Sequence, residues 1–165
     1  MKIPSDHVDV VVEQWERERP ELDLTPVEVV ARVGRAARLL DDGMERLFAE
    51  YGLTRASWDV LAALRRAGEP QRLSPTQLYR ALMRTSGAMT NRLNGLERDG
   101  VIRRVPDPDD GRGLLVELTA KGRRLVDRVA DAHLANERRM LEGLSPARQR
   151  QLAGLLRELL LSLEA

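Results

Sequence analysis

The chain has 165 residues, 42% hydrophobic but only 3% aromatic, and contains no cysteine. That length suits one domain with a real core; the aliphatic bias favours helices packed with Leu, Val and Ala, and the missing thiols exclude disulfides, zinc fingers and thiol redox switching. A formal charge of +1 does not announce a nucleic-acid partner by itself, so that case rests on where the cations lie.

Met1 to Asp6 carry no apolar core segment, so no signal peptide is expected. No apolar run nears the roughly 20 residues of a membrane span, and the chain reads as cytoplasmic with no membrane partner. Val8, Val11, Val12 and Trp15 stand at i, i+3, i+4 and i+7, a short amphipathic helix that Pro20 ends. Thr25-Pro26-Val27-Glu28 then reads as a capping box opening a helix that stays periodic through Val30, Ala37, Met44, Leu47 and Phe48 to about Tyr51-Gly52. Roughly 25 residues at 1.5 Å each span nearly 40 Å, more than a small domain needs, and the excess suggests packing on a second subunit. Thr54 caps the next helix, with Trp58, Leu61 and Leu64 as its buried stripe, and Ala67-Gly68 ends it. Leu73 can form a strand edge.

Ser74-Pro75-Thr76-Gln77 signals a helix start three ways, with a Ser cap, Pro at the first position and Gln at the third. That helix should reach about Met83. After a break at 84–87, Met89, Leu93 and Leu96 recur at helical spacing up to Asp99-Gly100. Two short helices joined by a tight turn make a helix-turn-helix. Opposite the apolar stripe of the second helix fall Gly87, Thr90, Asn91, Asn94 and Arg98, short hydrogen-bonding groups plus one cation. Asn suits adenine, and Thr suits several base edges or the thymine methyl. Thr76 and Ser86, near the starts of the two helices, join them as candidate DNA contacts. Val101 to Val105 and Leu114 to Leu118 are strand-like, and the turn-rich run 106–113 between them makes a hairpin, or wing. Arg112 at its tip can enter a minor groove, and Asp110 can pair with Arg112 or another arginine and stiffen the loop. Arg84, Arg92, Arg98, Arg103, Arg104 and Arg112 cluster in this region, interleaved with acids.

Thr119 caps a helix carrying Leu125, Val129, Ala132 and Met140. After Gly143 and Ser145-Pro146 a last helix presents Leu152, Leu155, Leu156, Leu159, Leu160 and Leu163 on a wide apolar face. So broad a leucine face needs a cover, and the terminal helices together are expected to form a dimer interface. The fold class is therefore mainly α, a winged helix-turn-helix with a small two- to three-stranded wing sheet.

Leu96-Glu97-Arg98-Asp99-Gly100-Val101-Ile102, Asp107-Pro108-Asp109-Asp110-Gly111-Arg112 and Leu118-Thr119-Ala120-Lys121-Gly122 closely resemble the MarR family of winged-helix transcriptional regulators over nearly the whole chain. The resemblance implies a single family chain over 1–165, with dimerisation helices in 1–52 and 119–165 and a DNA-binding region in 53–118. It also implies a homodimer that binds double-stranded DNA at a pseudo-palindromic operator, as a repressor released by a small ligand. Trp15, Asp59, Arg66 and Arg92 resemble the ligand-contact set of the urate-responsive subgroup, which has an extra N-terminal helix. A flat purine anion such as urate or xanthine fits their chemistry: an indole stacks, guanidiniums pair with the anion, and a carboxylate accepts ring N–H bonds. A phenolic or other aromatic ligand and a ligand-independent architectural protein are the alternatives. His7 and His133 lack partners at metal-ligand spacing, and Ser74 and Ser86 have no neighbouring His, so neither metal, cofactor nor enzyme chemistry is expected.

Overall fold

A computed structural model describes residues 5–82, 86–110 and 113–165. Helices α1 (His7–Glu18), α2 (Thr25–Glu50), α3 (Arg55–Arg66), α4 (Pro75–Leu82), α5 (Ser86–Arg98), α6 (Ala120–Met140) and α7 (Pro146–Glu164) accompany strands β1 (Arg72–Leu73), β2 (Ile102–Pro106) and β3 (Leu114–Leu118). The mainly helical class with a small antiparallel sheet is as the sequence indicated. The chain divides into two compact units, Met1–Gly43 and Met44–Ala165, the boundary falling inside α2.

In the first unit Asp6 opens α1 through a complete capping box. Its carboxylate accepts the Val8 and Asp9 amides at 2.7 and 3.2 Å, and the Asp9 carboxylate accepts the Asp6 amide at 2.6 Å. Val8 and Val12 bury against Leu24, with Val27 and Ala31 packed beside them. Trp15, expected on the buried stripe, is 47% exposed, because that small cluster covers only the first turns of α1. Arg32 ties α2 to the start of α1 by pairing with Asp6, Asp9 and Glu28. The expected Thr25 capping box does not form: Thr25 is already helical, the Asp23 carboxylate accepts its amide at 3.0 Å, and Glu28 is engaged with Arg32.

In the second unit Thr54 caps α3, its hydroxyl accepting the Ser57 amide at 3.1 Å. The core joins Phe48 of α2, Trp58, Leu61 and Leu64 of α3, Leu78 of α4, the buried stripe of α5, and Val126 and Val129 of α6. Phe48 and Trp58 stack with centroids 5.4 Å apart, and the His133 ring packs on both at 5.3 and 5.7 Å. The strands run in the order β1-β3-β2, all antiparallel. Glu117 of β3 is paired in register with Arg72 on one side and Arg103 on the other. Both guanidiniums bind its buried carboxylate. Burial alone would raise the Glu117 pKa, but the hydrogen bonds from Arg72 and Arg103 outweigh it and hold the carboxyl below its ordinary value.

The end of α5 is joined to the start of α6 by a tight lock. Gly100, at φ 69°, turns the chain so that the Val101 amide donates back to Leu96 at 3.1 Å. The Thr119 hydroxyl donates to Gly100 O at 2.8 Å and accepts the Gly122 amide at 3.0 Å, while Lys121 Nζ donates to Asp99 O at 2.7 Å. A Cβ on Gly122 would lie 1.9 Å from Val101 O, so only glycine allows this approach. The Leu-Thr-x-x-Gly run thus has a physical cause: a cap, and the absence of a side chain at the contact.

No residue of α7 is buried, and Leu155 and Leu160 are 56% and 55% exposed. Val29, Val30, Val33 and Leu39 of α2 are likewise exposed.

Candidate nucleic-acid interface

Helix α4 starts as its sequence demands. The Ser74 amide donates to Gln77 Oε1 at 2.7 Å and the Gln77 amide to Ser74 Oγ at 3.1 Å, closing the capping box in both directions. Leu78 faces the core, leaving Thr76 and Tyr79 outward. Met89, Leu93 and Leu96 bury one side of α5, and Thr90, Asn91, Asn94 and Arg98 are exposed on the other, as the helical wheel predicts. Burial on one side therefore fixes which groups α5 presents on the other. Arg92 is half-buried at the border.

The exposed residues fall into two neighbourhoods. Thr76 and Thr90 share a cleft with Pro75, Tyr79, Leu93 and Arg104, while Asn91, Asn94 and Arg98 line a groove with Glu97. Helix α5 begins at Ser86, so Ser86 and Gly87 belong to its first turn rather than to the preceding break. The expected end of α4 at Met83 lies outside the described residues, as does Arg112. Asp110 is exposed at the wing tip, where its carbonyl accepts the Gly113 amide at 2.8 Å and Gly113 O accepts the Asp107 amide at 3.0 Å. The Asp107 carboxylate accepts the Asp109 amide at 3.0 Å, so short-range hydrogen bonds shape the described part of the loop.

Of the arginines clustered around α5 and the wing, Arg103 is committed to Glu117 and Arg104 to Glu97. Arg104 also donates from Nη2 to Asn94 Oδ1 at 2.8 Å. Sequence reasoning missed this contact, because the partners lie seven and ten positions apart across the α5–β2 turn and no local pattern pairs them.

Of the candidate ligand contacts, Trp15 is on α1 in the first unit. Asp59 is half-buried and Arg66 exposed on α3, about 10 Å apart along the helix axis at 1.5 Å per residue, and Arg92 is on α5. Among the described residues no group of three or more His, Cys, Asp or Glu is placed to hold a metal, and no helix is long and apolar enough to cross a membrane.

Residues 51–113 match the family model described as "MarR family". The chain is 38% identical to the HTH-type transcriptional regulator PecS of Dickeya dadantii, over 90% of each chain. Among solved structures, it is similar to Sco3205, a MarR family regulator from Streptomyces coelicolor solved in complex with DNA. Identity is 26%, coverage 87% of this chain and 91% of that one, and the TM-score 0.76. It is also similar to Bordetella bronchiseptica BpsR, whose DNA binding is regulated by 6-hydroxynicotinic acid, at 26% identity, 80% and 98% coverage and a TM-score of 0.69. Agreement in sequence over nine-tenths of a curated regulator, and in fold over nearly the whole of two others, leads to one conclusion: the chain belongs to the MarR family of winged-helix transcriptional regulators.

Proposed function

We propose that this chain is a homodimeric repressor that binds a pseudo-palindromic operator in double-stranded DNA, in the cytoplasm, and is released by a small aromatic anion, with urate or xanthine as the best candidates. The observation that carries the DNA reading is the α5 surface: Thr90, Asn91, Asn94 and Arg98 exposed along one side of a helix whose other side is locked into the core. Thr76, the Ser86-Gly87 start of α5, Asp110 and Arg112 complete the proposed contacts. The existence of a DNA complex of Sco3205 supports this reading. Dimerisation is supported by the uncovered leucines of α7 and the uncovered valines of α2. Two α5 helices related by a two-fold axis reach successive major grooves when held about 34 Å apart.

Trp15, Asp59, Arg66 and Arg92 are the proposed ligand contacts. Arg92 belongs to the helix that would read DNA, so a ligand drawing on its guanidinium competes with DNA for the position of that helix, and by linkage DNA weakens the ligand equally. BpsR, regulated by an aromatic acid, supports an aromatic anion in general, and it favours a second reading in which the ligand is such an acid rather than a purine.

Titration of urate into a complex with labelled operator duplex tests the ligand. At about 1 mM urate, DNA affinity is expected to fall at least tenfold, equivalent to a coupling of about 1.4 kcal/mol, with the response strongly reduced in Trp15→Ala and Arg92→Ala. Unchanged affinity at that concentration rules urate out, and an undiminished response in both variants rules out this set of contacts.

A further inference from the structure

Asn94 stands on the exposed side of α5, yet its amide oxygen is already engaged. An arginine has only donors, so its contact with Asn94 must be through the amide oxygen, and Nη2 of Arg104 reaches that oxygen at 2.8 Å. Arg104 is itself anchored. Its guanidinium pairs with the Glu97 carboxylate, the other oxygen of which accepts the Arg104 amide at 3.1 Å. Its side chain is three-quarters buried between α5 and β2, being 25% exposed. Glu97 lies one turn beyond Asn94 on the same helix, so the chain Glu97–Arg104–Asn94 closes on itself.

From this we infer that Arg104 is a specificity-determining residue that acts through Asn94, turning it into a donor toward the bases. An unrestrained asparagine pairs with adenine in two bonds, its oxygen accepting from N6 and its nitrogen donating to N7. Here one lone pair of Oδ1 is taken, and the guanidinium beside it opposes the approach of a second donor. That leaves the Nδ2 hydrogens as the groups Asn94 can offer. They suit an edge made of acceptors, which guanine offers at O6 and N7. The arginine charge adds to the same preference, since it favours an electronegative edge over the amino group of adenine. Glu97 sets the strength of the effect by holding Arg104 in place. The inference rests on the reading of α5 as the DNA-recognising helix.

Selection of bound duplexes from a randomised pool, using the full-length chain and its variants, decides the matter. Comparison of the wild type with Asn94→Ala identifies the base pair that Asn94 reads, as the position whose preference flattens. At that pair the wild type is expected to favour guanine over adenine by at least threefold. Arg104→Met, which keeps the aliphatic stem and loses every donor, is expected to move the preference toward adenine. Glu97→Gln is expected to move it part of the way. Adenine favoured by the wild type overturns the inference, as does a guanine preference unmoved in a folded Arg104→Met, or a pool in which Asn94→Ala flattens no position. Should Arg104→Met fail to fold, the wild-type preference and the Glu97→Gln shift still decide. A protein that enriches no sequence at all refutes the DNA reading itself, an outcome distinct from enrichment of the wrong base.

Discussion

Replacing Leu155 and Leu160 together by glutamate is expected to leave the chain monomeric at micromolar concentration and to weaken operator binding at least hundredfold. Both side chains are more than half exposed on α7, a helix with no buried residue. Burying one leucine contributes about 1.5–3 kcal/mol, and a two-fold interface uses each position twice. Four carboxylates placed where that burial should occur reverse the balance, because a charge without a partner in an apolar contact costs several kcal/mol. A monomer then brings one α5 to the duplex instead of two. The hundredfold loss corresponds to only about 2.7 kcal/mol, a modest share of a specific protein–DNA contact. Sedimentation of the variant gives its mass, and fluorescence anisotropy with an operator duplex gives the affinity. A variant that stays dimeric with unchanged affinity shows that α7 is not part of the interface.

Gly122→Ala is expected to cost about 3 kcal/mol of stability and to lower the melting temperature by about 10 °C for a chain of this size. The new methyl would lie 1.9 Å from a backbone carbonyl, that of Val101, and 3.2 Å from Leu118 Cδ2, and a carbonyl fixed by its own hydrogen bonds moves less readily than a side-chain tip. Val101 also accepts the Thr119 amide at 3.1 Å, so pushing it away breaks the lock between α5 and α6. Gly143→Ala is the control. A Cβ there meets nothing within 4 Å, and the change should stay within about 0.5 kcal/mol. Calorimetry of both variants checks the pair: melting temperatures within two degrees of each other would mean that the close approach at Gly122 is not required.

Local signals were the ones most legible in the sequence. Ser74 with Gln77, Thr54, Thr119, Ser145 and Gly100 each act within a few residues of themselves, and each cap or stop stands where the residue types placed it. The buried stripe of α5 was legible for the same reason, since Met89, Leu93 and Leu96 repeat at the helical period. What escaped depends on partners distant in sequence. The alternation of β3 turns Glu117 away from buried Val116 and Leu118 and so predicts solvent for it, but arginines from both neighbouring strands cover it. Trp15 follows the helical period of α1 and still stands out, because Leu24, Val27 and Ala31 provide no surface beyond Val12. Thr25 has the composition of a cap, yet Asp23 reaches its amide first. The Arg104 contacts to Glu97 and Asn94 belong to the same class, joining a strand to a helix across a turn that no pattern of residue types foretells.

Two copies of α5 held at a fixed separation by one dimer require half-sites at a matching separation on the duplex. Two duplexes carrying the same selected half-sites are compared by anisotropy at one salt concentration, the half-site centres separated by one helical turn, about 34 Å, or by a turn and a half. The half-turn displacement puts the second half-site on the opposite side of the DNA. Binding at least a hundredfold tighter to the one-turn duplex, with two chains per duplex, is the expected result; equal affinity for the two, or one chain per duplex, would contradict it.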